Sequence, residues 1–344
     1  MNKTTWAFST LAAAAVAVSP VSAEEIINLY NYADYMSQEQ MDRFEAETGI
    51  RIVLDVIDSN ETLLARLQAG GSNYDAAVAT DYMVQVLARE DLIQPAGVTE
   101  LENFANLSAA FLAPYYDPEN QYAVPFQTGT TSLMVDTDVI SEPPNSLSLL
   151  FDPPDEAKGR INVHRDMHDV INAGLRYLGY DRCNANPEEL GAVNDLLLAS
   201  KEHWRSINAD GSRELLVSGD VVVSQIWSGL GMRARDDKPS LQYIYTDEGY
   251  TGWVDSVVML DGAPNAENVR VFMNWLLEPE NAAELTNWAR FGAGVQGVEA
   301  YLDADLRSAV EANIPASAPP PDFVPTCPDE VIALYDRIWT NLLR

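Results

Sequence analysis

The sequence predicts an α/β protein built as two lobes. Its 344 residues are enough for two domains of ordinary size, and 47% of them are hydrophobic, enough to fill a core in each. From residue 26 onward short apolar strands alternate with capped helices, the pattern of a largely parallel sheet.

Residues 1–23 stand outside that pattern and are expected to be a cleaved signal peptide. Lys3 gives a basic start, Trp6 to Val18 is an alanine-rich apolar run, and Val21-Ser22-Ala23 offers the small residues a signal peptidase requires. The run is too short to span a bilayer, and no later stretch is long enough either. No cysteine follows the cleavage point, so no lipid anchor is expected there. In an exported chain the two cysteines, Cys183 and Cys327, are expected to pair.

Ile26 to Tyr30 alternates as a first strand. Ser37 and Gln40 have capping-box spacing and open a helix that turns Met41 and Phe44 inward and stops at Gly49. Ile50 to Val56 is the next strand, and Asp58 with Glu61 repeats the capping spacing before a helix through Leu63, Leu64 and Leu67. Tyr74 to Ala79 and Tyr82 to Glu90 continue as strand and helix. Ligands bind beyond the carboxyl ends of such strands, where Tyr32 to Tyr35 and Thr80-Asp81-Tyr82 lie. Gln121 to Pro125 and Thr131 to Val135 read as two strands, the second crossing into another lobe. The Pro-rich piece Glu142 to Pro154 is a loop, and Asp166 to Tyr180 and Pro187 to Trp204 are helical. Val221 to Trp227 is a buried strand, and Val254 to Leu260 leads back to the first lobe. Helices follow over Ala266 to Leu277 and Asn281 to Arg290, then a strap from Ala316 to Pro325. The last helix, Glu330 to Leu343, has Ile332, Leu334, Tyr335, Ile338 and Leu342 on its apolar face. Lobe one is expected to comprise residues 24–133 with 255–297, and lobe two 134–254 with 298–344.

Two stretches distant in sequence share one chemistry. Trp253 precedes Asp255 by two residues, and Tyr32 precedes Asp34 by two, so on extended backbone each pair points one way. A ring face beside a carboxylate suits an organic ammonium. Either stretch alone also suits an aromatic packed at a strand end beside a solvated acid. The formal net charge of -31 argues against a nucleic-acid groove and against anionic lipid. It fits a cationic ligand, and it equally serves solubility.

Other motifs carry less. Gly292 to Gly297 matches GxGxxG but follows a helix, so a turn or hinge is expected. His164 and His168, with Asp166 and Asp169 interleaved, have a zinc-like spacing but no third ligand, and structural roles are expected. Tyr115-Tyr116 could suggest iron, but the neighbouring Asp117 to Asn120 reads as a surface turn. There is no GxSxG, HExxH or P-loop, so no enzyme, cofactor or metal site is expected.

The pieces LYNYADYM, FEAETGIRIVLDVIDSNETLLARLQAG, YDAAVATDYMV, VINAGLRYLGYD, SQIWSGLGMRAR and GYTGWVDSVVM occur in this order across nearly the whole mature chain. In them the sequence resembles the bacterial spermidine/putrescine-binding proteins of ABC importers. The resemblance implies a type II periplasmic binding protein: two α/β lobes, crossover hinge strands, a polyamine clamped between the lobes and a membrane permease as partner. It also implies a periplasmic monomer. Carried over residue by residue, the ligand site is Tyr32, Asp34, Tyr35, Thr80, Tyr82, Asp166, Asp169, Trp227, Trp253, Asp255 and Phe291. Tyr32 replaces a usual Trp, Thr80 a usual Ser, Asp169 a usual Glu and Phe291 a common Tyr. Leu230 stands where putrescine-preferring members have Asp, which tilts the expectation towards a spermidine-like ligand. A different organic cation or a sugar on the same fold, or an extracellular hydrolase, are the alternatives.

Overall fold

The computed structural model describes residues 25–33, 35–57, 59–70, 73–323 and 325–344. The expected signal peptide, Asp34 and Asp58 lie outside the described residues.

The chain opens with β1 (Glu25–Asn31), α1 (Gln38–Thr48), β2 (Ile50–Val56), α2 (Asn60–Gln68), β3 (Ala76–Thr80) and α3 (Asp81–Arg89). The Ser37 side chain caps α1 by accepting from Gln40 N, and Gly49 ends that helix in the left-handed region at φ 77°. The cap of α2 is Ser59 rather than the anticipated Asp58: its hydroxyl accepts from Thr62 N. Turns and 3-10 helices then lead to β4 (Ala123–Asp136). The two strands expected here are one, continuing through a register shift between Pro125 and Gln127. At fourteen residues it is roughly 45 Å long.

The second half adds α4 (Ser148–Phe151), β5 (Ile161–Val163), α5 (Met167–Leu178), α6 (Pro187–Ser200), β6 (Trp204–Ile207), α7 (Ser212–Ser218), β7 (Val223–Trp227) and α8 (Ser228–Asp237). Then come β8 (Leu241–Ile244), β9 (Thr251–Met259), α9 (Ala266–Leu276), α10 (Pro279–Ala289), β10 (Asp322–Phe323) and α11 (Asp329–Leu343). The stretch read as a Pro-rich loop contains α4, whose Leu149 and Leu150 are fully buried. Trp204 starts β6 instead of closing a helix, with its indole N–H donating to Leu150 O.

These strands form one hydrogen-bonded sheet in the order β2-β1-β3-β9-β4-β7-β5-β6, with β10 on β9 and β8 on β4. β1, β2 and β3 pair in parallel, while β9 runs antiparallel to both β3 and β4. The first part of β4 pairs with β9, and its last part pairs with β7 and β8. Two large cores flank this passage. One gathers Ile27, Phe44, Leu63, Val78, Leu87, Val257 and Phe272; the other gathers Leu133, Leu150, Val163, Ile171, Leu197 and Tyr335. β4 contributes Phe126 to the first and Leu133 to the second, so it physically joins them.

The carboxyl-terminal strap is held at several points. Arg176 donates to Asp322, Arg182 donates to Pro325 O, and the expected disulfide joins Cys183 to Cys327. From the same strap Thr326 Oγ1 donates to Tyr82 O at 3.1 Å, touching α3. The disulfide closes a loop across a separation of 144 residues. Serine at both cysteines is expected to lower the unfolding free energy by about 3–5 kcal/mol in the chain-entropy account, measured by urea denaturation against the oxidised protein.

Candidate functional site

Strand register places the central acid. Thr80, the last residue of β3, lies directly opposite Asp255 on β9. Asn60 Nδ2 donates to Thr80 Oγ1 at 2.8 Å, so that hydroxyl turns its own proton outward and donates to Asp255 Oδ1 at 2.6 Å. Tyr35 Oη donates to the other carboxylate oxygen at 2.8 Å, and Gln127 Nε2 fixes the Tyr35 backbone by donating to its carbonyl. Each carboxylate oxygen thus accepts one bond and keeps a further lone pair.

Asp255 is 4% exposed, and burial pushes its pKa up to about 6 against the lowering effect of the Thr80 and Tyr35 bonds. Among the described residues no Lys or Arg charge offsets that burial. A buried carboxylate stays ionised cheaply only beside a cation, so this group is set to receive one.

Rings surround it. The Trp253 and Phe291 centroids lie 5.1 Å apart at 69°, Phe291 and Tyr35 5.7 Å apart, and Tyr35 and Tyr32 5.3 Å apart. Trp253 faces Gly129 across the β4–β9 ladder, where an added Cβ would come within 2.5 Å of the indole. Gly229 on α8 leaves similar room for Phe291, 2.6 Å from a hypothetical Cβ. Trp253 Nε1 is buried without a hydrogen-bond partner, and the Tyr32 hydroxyl beside Thr80 likewise has none in good geometry.

The other wall is the start of α5. Asp166 is its N-cap, accepting from Asp169 N at 2.9 Å. Burial, then the charge of Asp169, hold the Asp166 carboxyl above the ordinary range. Asp169 goes the other way. Burial raises it, but His164, Thr251 and Arg176 outweigh burial and hold it below the ordinary range. Trp227, at the end of β7, meets the His164 ring edge to face at 4.5 Å. Tyr82 reaches across with its ring 5.8 Å from His168 and its hydroxyl donating to Glu61 Oε1.

The structure therefore brings Tyr32, Tyr35, Thr80, Trp253, Asp255 and Phe291 into one group. Trp227 also packs against the Trp253–Phe291 cluster, and Tyr82 bridges towards α5. Asp34 is outside the described residues. Asp81 does not share the crevice expected for it: it is 2% exposed, near Tyr115 and the Val254 backbone, with burial raising it to about 7. The Asp117 to Asn120 turn does expose its tip at Pro118 and Glu119, but Asp117 itself is buried and accepts from the backbone N–H groups of Gln121, Tyr122 and Ala123. Leu230 packs, partly buried, against Leu216, Ile226 and Tyr243. Among the described residues no cluster of His, Cys, Asp or Glu could hold a metal ion.

A family model described as bacterial extracellular solute-binding protein matches residues 39–314. The chain belongs to this family. It is 30% identical over 286 residues to the spermidine/putrescine-binding periplasmic protein of Salmonella typhimurium, covering 81% of this chain and 82% of that one. It is 26% identical over 356 residues to the putrescine-binding periplasmic protein SpuD of Pseudomonas aeruginosa, covering 97% and 96% of the two chains. The solved substrate-binding protein PotD of a spermidine/putrescine ABC transporter from Streptococcus pneumoniae superposes with a TM-score of 0.80 at 23% identity, covering 93% and 98%. The fold is that of two-lobed type II periplasmic binding proteins. The relatives are named as binding proteins, not enzymes.

For this solute-binding protein, sequence reasoning missed Asn60, Gln127 and Glu61, which orient Thr80, Tyr35 and Tyr82. Amide and acid side chains in these roles have no local signature; only the placement of α2 and the register of β4 could have shown them.

Two outcomes follow from this geometry. Gly129→Ala is expected to displace Trp253 and weaken ligand binding about tenfold or more, seen as a shifted indole emission and a raised Kd. The second concerns pH. Because Asp255 is raised, the folded chain keeps a proton that the unfolded chain releases between about pH 4 and 6. Its ionised form costs stability above that window, and the cost disappears as pH falls through it. Asp255→Asn is expected to stabilise the ligand-free protein by about 1–3 kcal/mol near pH 8, with the gain vanishing near pH 4. Urea denaturation at both pH values tests this.

Proposed function

We propose that this protein captures a polyamine between its lobes in the periplasm and delivers it to the membrane permease of an ABC importer, with a spermidine-like ligand preferred to putrescine. In this reading residues 1–23 are the export signal, 24–133 with 255–297 form the first lobe, and 134–254 with 298–344 the second. Among the described residues no helix is long and apolar enough to cross a membrane. The Salmonella relative, named for spermidine and putrescine, supports the ligand class. The uncharged Leu230 supports the preference for the longer amine.

The observation that carries the reading is Asp255, a buried carboxylate among aromatic rings with no protein cation to neutralise it. Trp253, Phe291, Tyr35 and Tyr32 line the methylenes, Trp227 closes the other side, and Asp255 and Asp166 pair with ammonium groups. A micromolar complex requires about -8 kcal/mol. Ring contacts at about 0.5–2 kcal/mol each and desolvated methylenes at about 0.8 each reach that after association costs. Closure also presents both lobes to the permease in one shape, so the ligand itself reports occupancy.

Thermal unfolding with putrescine, spermidine, spermine, agmatine and maltose tests the ligand class. A ligand at a hundred times its Kd adds about 2.7 kcal/mol. A larger shift with spermidine than with putrescine is expected; no shift with any amine sinks the assignment. Asp255→Ala is expected to cost more than about 2 kcal/mol of binding, and an unchanged Kd by calorimetry would remove Asp255 from the site.

A further inference from the structure

The two carboxylates at the start of α5 sit three residues apart, yet their surroundings differ. Among the described residues Asp166 accepts from the backbone N–H of Asp169 and makes no ion pair. Asp169 is engaged from the protein side: Oδ2 lies 3.1 Å from His164 Nδ1, and the Thr251 hydroxyl and the Arg176 guanidinium act on the same carboxylate. A carboxylate only accepts, so Nδ1 carries the proton of that bond.

His164 has little freedom to turn away from Asp169. The residue is 1% exposed at the end of β5, its backbone N–H donates to Gln225 Oε1, and its ring is set against Trp227. Gln225 Nε2 in turn donates to Asp169 O, so β7 braces both partners. The pair lies directly behind a ring of the cleft, not in a remote core.

We propose that His164 determines specificity: by holding Asp169 it withdraws one of the two acids of this wall, which then pairs with a single ammonium through Asp166. This rests on the polyamine reading. Among the described residues Asp255 and Asp166 are then the acids left for ammonium groups, so α5 adds less to the preference for a triamine than two free acids would. His164 acts through Asp169 and is a positioning residue, not a ligand contact.

The test is calorimetric titration of spermidine and putrescine into the wild type and into His164→Leu. Loss of the imidazole frees Asp169 Oδ2 for one charge-assisted bond to a third ammonium, while the Thr251 and Arg176 interactions remain. The spermidine-to-putrescine affinity ratio is expected to rise about tenfold. A purely structural His164 would weaken both amines together, and an unchanged ratio overturns the inference while leaving the polyamine reading intact. If the wild type binds neither amine, both fall. On the wild type itself, nitrogen-15 NMR of the imidazoles gives a second readout that needs no variant; the chain has only three histidines. Persistence of the His164 Nδ1–H bonded to Asp169 on saturation with spermidine supports the proposal. Loss of that signal would show Asp169 turning to the ligand and would overturn it.

Discussion

The burial of Asp255 without an internal cation among the described residues is the constraint on which the rest of the site depends. A carboxylate in that position carries an unfavourable charge unless donors or a cation meet it. Two hydroxyls meet it, each aimed by another group: Asn60 orients Thr80, and Gln127 fixes the Tyr35 backbone. They soften the cost without removing it, since the carboxyl is still raised to about 6. Asp81, a second buried acid of the same lobe, adds to the negative field there. The protein thus holds an unfavourable charge that a cationic solute relieves.

The sheet ties that site to both large cores. β4 and β9 run through both halves, and their ladder places Gly129 against Trp253 and Gln127 against Asp255. Trp253 and Asp255 therefore sit on a central strand that pairs with β4, while Tyr35 and Phe291 reach them from the segments after β1 and α10. The strap adds a further tie, since it is fastened by the Cys183–Cys327 disulfide and by Asp322 while Thr326 reaches the Tyr82 carbonyl.

On α5, chemistry is divided between neighbours. An N-cap aspartate and the aspartate three residues on would look interchangeable as cage acids. One faces burial with only a backbone donor, and the other is held by an imidazole, a hydroxyl and a guanidinium from three different segments. The opposite shifts follow from burial and the Asp169 charge acting on Asp166, and from the imidazole, hydroxyl and guanidinium acting on Asp169.

Much was legible in the residues themselves. Alternating strands, the Ser37 cap, the Gly49 stop and the terminal amphipathic helix are local patterns, and local patterns report period and capping well. The paired cysteines followed from number and export. Trp253 and Asp255 lie two apart on β9, and i and i+2 on a strand share a face whatever the fold; of the matching pair Tyr32 and Asp34, the acid lies outside the described residues. Tertiary structure alone decided that β4 is continuous, that Asp81 and Asp117 turn inward, and that Asp169 pairs with His164. Each of these depends on which distant backbone group, ring or carboxylate arrives alongside. Strand register and helix placement set that, and neither is written in the residues beside the one in question.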